Sequence, residues 1–283
     1  METDFKQFIC KRTRQGEQIY STMCNFNRTL NEDATGVSFA DITDEWLGGY
    51  AEYMRERICG NSAKTYFSIL KTTLKRAKMT RPKDVRTDNY KEILTAKGAK
   101  AIRCYLTMKE LKKIEKYAPT SKIERAVRAQ FLIGAYTGAR QSDFRELTTD
   151  NINDGMLSYI SKKTHIKAVV PVKPIVVELL NELNELPDVT LCYFNRVLRR
   201  MCAKIGINSP VRVFSSGEQK EGEKWQFLSS HTARISFATN LYFLGLNIVT
   251  IAKMMGHTNI SQTYRYIVDE NIELPEKVNV FFK

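Results

Sequence analysis

Two arginines, two histidines and a tyrosine stand in this 283-residue chain in an order that suits covalent attack on a phosphodiester. Arg140 closes Thr137-Gly138-Ala139-Arg140. Far downstream come His231-Thr232-Ala233-Arg234, then Gly256-His257, and Tyr266 nine residues beyond that histidine. An arginine is always charged and presents a planar fork of donors, so two of them can hold both non-bridging oxygens of a phosphoryl group. The tyrosine would supply the nucleophile. His231 and Arg234, three apart, share one face of a helix start, where unpaired N–H groups and the macrodipole also attract an anion. An isolated H-x-x-R arises often by chance. Its weight lies in its company, since two of the three histidines in the chain fall in these motifs, each beside a group that can bind phosphate.

Lysine plus arginine number 44 against 31 acidic residues, a net charge of +13, and the surplus is local: residues 64–140 hold 20 basic and 6 acidic side chains. A block that positive attracts a polyanion, and duplex DNA offers about one charge per 1.7 Å. A solvated lysine face is the plainer alternative. No segment approaches the ~18 apolar residues of a membrane-spanning helix, and the acidic start Met1-Glu2-Thr3-Asp4 lacks a signal-peptide core. The expectation is a soluble, cytoplasmic protein. Six scattered cysteines without a C-x-x-C pair point to packed thiols, and the three histidines, His165, His231 and His257, lie away from any cysteine. The chemistry is expected to need neither metal nor cofactor.

The elements that must position these residues can be read from spacing. Up to about residue 80 the pattern is helical. Ile19, Tyr20, Met23 and Cys24 follow one helical stripe; Thr43 can cap a second helix, with Trp46, Leu47, Tyr50, Tyr53, Met54 and Ile58 on one face and Gly60 as its stop. A third helix starts at Asn61 or Ser62, buries Tyr66, Ile69, Leu70 and Leu74, and shows Lys64, Lys71, Lys75 and Arg76 on its other face, a candidate DNA-facing surface. Residues 83–104 read as a polar linker. Thr107 with Glu110 and Ser121 with Glu124 make two capping boxes, and the helix after the second ends at Thr137-Gly138, presenting Arg140 at a turn. Residues 156–161 and 166–172 read as two strands with Lys162 to His165 at the tip. Helices follow at about 173–185 and 189–205, then a polar insertion near 215–224, a helix capped by Ser230 that carries His231 and Arg234, and one from Asn247 to Met255.

On these motifs the chain resembles the tyrosine recombinases, the integrase family of phages and mobile elements. The family's T-G-x-R-x-x-[ED] stands here as Thr137 to Asp143, its H-x-x-R as His231 to Arg234, and its G-H with a tyrosine nine later as Gly256-His257 and Tyr266. The family's hairpin lysine precedes the strand-ending proline by about eight residues, which points to Lys163, with Lys162 as the alternative. One departure is Ile235, where the family often has histidine or arginine. The resemblance implies a mainly α fold with a small β-sheet. An all-helical, SAM-like core-binding domain (1–82) would be joined by the linker (83–104) to a mixed α+β catalytic domain (105–283), without a separate arm-binding domain.

The resemblance further implies that Tyr266 attacks the scissile phosphate, leaving a 3′-phosphotyrosyl link and a 5′-hydroxyl. Lys163 would protonate the leaving oxygen, His231 would take or share the tyrosine proton, and Arg140, Arg234 and His257 would hold the phosphoryl charge. Asp143 would orient an arginine, or simply occupy a helix start. Tyr264 is the alternative nucleophile, and His165 reads as a polar hairpin residue. The implied partners are double-stranded DNA at a specific site, a homotetramer working through a Holliday junction, and accessory DNA-bending proteins. The apolar tail, with Ile272, Leu274, Val278 and Val280 to Phe282, would dock on a neighbouring subunit or on its own core. Two rivals share the fold: a type IB topoisomerase and a DNA-binding factor without turnover.

Overall fold

The computed structural model describes residues 4–10, 14–98, 102–215 and 218–268. The chain divides into two units, Met1–Ala101 with Phe214–Glu218, and Ile102–Val213 with Gln219–Lys283. The apolar tail beyond Val268 lies outside the described residues.

The first unit contains α1 (Asp4–Cys10), α2 (Arg14–Leu30), α3 (Asp44–Arg57), α4 (Gly60–Thr80) and α5 (Tyr90–Ile93). The Thr43 hydroxyl caps α3, accepting from the Trp46 N–H at 3.2 Å. Trp46 stacks on Tyr50, with ring centroids 5.5 Å apart, and its indole N–H donates to Asn27 Oδ1, so α3 is fixed on α2 by both area and a satisfied polar group. Gly60 does not close α3. The helix is capped by Ile58, and Gly60 opens α4 at a place where a Cβ would lie 2.1 Å from the Lys97 carbonyl oxygen. From α4 the buried side chains are Ala63, Phe67, Leu70, Thr73, Leu74 and Ala77, while Tyr66 and Ile69 are half-buried. The stretch read as a linker contributes Tyr90 and Leu94 to this core, and Arg55 holds it by donating to the carbonyls of Ile93 and Thr95. Polar composition hid it, because few apolar anchors suffice for so short a segment.

The second unit is built around a helix buried on almost every side. It contains α6 (Met108–Lys116), α7 (Lys122–Thr137), α8 (Gln141–Phe144), β1 (Ile152–Asn153), β2 (Met156–Ile160), β3 (Lys167–Pro171), α9 (Pro174–Leu183), α10 (Leu191–Lys204), all but the adjoining ends of β4 (Pro210–Ser215) and β5 (Glu218–Glu223), and α11 (Ser230–Phe243), α12 (Ile248–Met254) and α13 (Ile260–Tyr264). The Thr107–Glu110 capping box is complete. At α7 Ser121 accepts from the Glu124 N–H, but the Glu124 carboxylate turns to Thr120. Twelve consecutive residues of α7, Ala126 to Thr137, are buried apart from Arg128.

The sheet order is β1-β2-β3, antiparallel, with Leu157 opposite Val170 and Tyr159 opposite Ala168. These four side chains face the core, as the period of two requires. The polar insertion near 215–224 contributes to a two-stranded hairpin, β4 with β5. Its second strand is polar on both faces, so it carries no alternation to read; the Arg212–Glu221 ion pair, 2.7 Å, bridges the two strands.

Candidate active site

Gly138 sets the stage. It caps α7 in the left-handed conformation (φ +68°), and a Cβ there would come within 2.5 Å of the Phe237 ring on α11. The chain therefore leaves α7 sharply and presents Arg140 at the start of α8. Arg140 Nη1 donates to Ser161 Oγ at 2.7 Å, and that hydroxyl donates to Asp143 Oδ2 at 3.0 Å. Asp143, buried in the first turn of α8, is thus linked to Arg140 through the Ser161 hydroxyl.

Arg234, on the first turns of α11, is 1% exposed. Its guanidinium donates to the carbonyls of Gly138 and Met255 and to His257 Nε2, the last at 2.7 Å. Among the described residues its Nε has no hydrogen-bond partner. Burial, and then the Arg140 charge, push its pKa downward. A guanidinium can only donate, so His257 Nε2 accepts and Nδ1 carries the proton that goes to Thr263 Oγ1 at 2.8 Å. His257 is accordingly neutral, its pKa held down to about 3 by burial and then by Arg234 and Arg140. In this arrangement His257 orients Arg234 and has no Nε2 proton to offer a phosphate.

Tyr266 lies among these groups. Its ring centroid is 5.1 Å from that of His231 and 5.3 Å from that of His257, and the Arg234 guanidinium carbon stands 5.3 Å away. The Tyr266 backbone is held by Thr239 on α11, whose Oγ1 donates to the Tyr266 carbonyl at 2.9 Å and accepts from the Val268 N–H. His231 Nε2 accepts from Arg103 Nη1 at 3.2 Å. Its pKa is pushed down to about 4, by burial first and then by Arg103, Arg234, Arg140 and Lys163. The ring also keeps contact with solvent, His231 being exposed.

The β2–β3 turn carries the lysines. Lys162 Nζ pairs with Glu146, whereas Lys163 is exposed and forms no hydrogen bond among the described residues; its charge reaches His231. Thr164 Oγ1 ties the turn to the Gly256 carbonyl at 3.2 Å. His165 is exposed, at positive φ. Tyr264 is 54% exposed and has no ring contact with either histidine.

Six expected groups, Arg140, Lys163, His231, Arg234, His257 and Tyr266, therefore surround one place. Ser161, Thr239, Thr263 and Arg103 join them unannounced. On α4, Lys64 and Lys75 are exposed and Lys71 half-buried. Arg76 turns inward: its guanidinium lies 4.3 Å from the Phe8 ring centroid and donates to the Phe8 carbonyl at 2.6 Å.

Residues 104–271 match the family described as "Phage integrase family", and residues 5–91 match the "Phage integrase SAM-like domain". Tyrosine recombinase XerA of Pyrococcus furiosus is 29% identical over 164 residues, 57% of this chain and 56% of that one, so the chain spans about half of that relative's length. Among solved structures, a lambda integrase dimer bound to a COC′ core site has a TM-score of 0.65 at 19% identity, covering 95% of this chain and 76% of that one. A lambda integrase tetramer bound to a Holliday junction has a TM-score of 0.62 at 18% identity, covering 96% and 77%. These structural likenesses are of fold. With both its domains matched and the arginines, histidines and tyrosine gathered at one site, the chain belongs to the phage integrase family of tyrosine recombinases.

Proposed function

We propose that this protein is a site-specific DNA recombinase that cuts and rejoins strands through a 3′-phosphotyrosyl intermediate. The observation that carries the reading is the packing of Tyr266 against His231, His257 and the buried, incompletely bonded guanidinium of Arg234. A buried cation without a paired carboxylate is costly, and an incoming phosphate offsets that cost.

In the proposed step the Tyr266 Oη forms a bond to phosphorus while the P–O5′ bond breaks. The phenolic proton passes to His231 Nε2, the one acceptor nitrogen of the neutral ring, once Arg103 gives up its hydrogen bond there. Lys163, which has no ion-pair partner among the described residues, protonates the departing 5′ oxygen. Arg140 and Arg234 hold the non-bridging oxygens, a form of stabilisation commonly worth about 3 kcal/mol per donor. The ester energy is kept in the phosphotyrosine, so a second 5′-hydroxyl can reseal the strand without ATP. Duplex DNA carrying a specific site is the proposed substrate, and four copies joined at a Holliday junction the proposed assembly, working in the cytoplasm with accessory DNA-bending proteins.

Tyr266→Phe tests this directly. The variant is expected to bind site DNA as the wild type does and to give no covalent adduct on a nicked suicide substrate. An adduct that persists would move the nucleophile to another residue, with Tyr264 first in line.

A further inference from the structure

Ser161 is fully buried at the end of β2, immediately before the two turn lysines. Its hydroxyl has one hydrogen and two neighbours. Arg140 can only donate, so the hydroxyl accepts from Nη1 at 2.7 Å, and its own hydrogen must go to Asp143 Oδ2 at 3.0 Å. The other oxygen of Asp143 accepts from the backbone N–H of Lys162 at 3.2 Å. Asp143 makes no direct ion pair with Arg140, although the two lie only three residues apart in the chain.

We propose that Ser161 is a positioning residue, a neutral spacer that aims Arg140 while keeping its charge available to the phosphate. A carboxylate bound directly to Arg140 would occupy two donors of the fork and cancel much of its field. The interposed hydroxyl fixes Nη1 alone, and the remaining donors have no hydrogen-bond partner among the described residues. The same carboxylate also pins the turn that bears Lys163, through the Lys162 N–H. Arg140 and Lys163 therefore answer to one buried group by separate routes, and only the arginine's route passes through Ser161.

This inference rests on the recombinase reading, and the test separates the two. In DNA-free full-length protein, hindered rotation of the Arg140 guanidinium is read from its Nη resonances by NMR. Distinct signals in the wild type are expected to merge in Ser161→Ala, and unchanged signals would overturn the spacer role.

On DNA, single-turnover cleavage by Ser161→Ala at saturating substrate should fall about 100-fold with Kd unchanged, the scale of a misaimed group. The loss should shrink on a methylphosphonate substrate, which lacks the anionic oxygen that Arg140 meets. It should persist on a substrate with sulfur at the 5′ bridging position, whose thiolate departs without a proton. Rescue by sulfur instead would mean Ser161 acts through Lys163, and would sink the proposal. Should Ser161→Ala fail to fold, Asp143→Asn is the second variant: it disturbs both routes and should be eased partly by each substrate, whereas no easing by the phosphonate would count against the relay. Absence of capture by the wild type would break the recombinase reading alone, since the NMR comparison still decides the spacer.

Discussion

The imidazole of His257 is held neutral by its neighbours before any ligand arrives, with Arg234 donating to one nitrogen and Thr263 receiving from the other. Its pKa near 3 and that of His231 near 4 both lie below the ordinary 6.5. Between those values the unfolded chain binds more protons, so the stability these histidines contribute is complete above about pH 6.5 and is lost as pH falls toward 4 and then 3. His257→Gln should lower the urea midpoint at about pH 7.5 and flatten its decline below about pH 6.5. Parallel curves for variant and wild type would assign the titration elsewhere. The motif residues were legible in the sequence because charge type and fixed spacing mark them. Ser161, Thr239 and Thr263 were not, since serine and threonine are common and only the fold brings these three beside Arg140, Tyr266 and His257. Arg103 was equally hidden, a lone arginine in polar text that the fold sets on His231.

Among the elements, α4 shows what spacing can and cannot reveal. Its apolar stripe placed the helix correctly, but a helical wheel assigns Arg76 to the outer face, and α1 captures it. The Phe8 carbonyl and ring satisfy its guanidinium, and α1 carries no long periodic pattern that would have announced such a partner. Lys64, Lys71 and Lys75 keep the expected outward role in our reading. Replacing Lys71 and Lys75 by alanine should reduce the slope of log K against log salt by about 0.9 for each phosphate that is no longer neutralised. Arg76→Ala should leave that slope unchanged and instead lower the melting temperature, because it removes a satisfied hydrogen bond and a cation–π interaction from the α1–α4 packing. A flatter slope for Arg76→Ala would show that it leaves Phe8 for DNA; an unchanged slope for the lysines would put α4 in water. The β4–β5 hairpin and the segment after Pro82 escaped sequence reading for a related reason. Their stability comes from backbone pairing and a few anchors, Tyr90 and Leu94 in the second case, which periodicity does not register.

For the molecule as a whole, the decisive question is what becomes of the phosphotyrosine once it forms. The same transesterification serves two ends. A type IB topoisomerase lets the broken strand rotate and reseals it alone, whereas a recombinase passes the bond to a strand held by another copy. The active site described above lies within one unit of one chain, so cleavage chemistry does not distinguish them. Assembly does. A recombinase must present four cleavable strands together, which a Holliday junction supplies and a single duplex does not. On a synthetic junction bearing the cognate arms, the protein is expected to form complexes of four chains, and resolution should require Tyr266. Plasmid lacking the site should keep its supercoils at the same protein concentration. Relaxation of that plasmid by monomeric protein would reverse the assignment in favour of the topoisomerase. Tetramers that bind the junction and leave Tyr266 unreacted would favour a binding factor on the same fold.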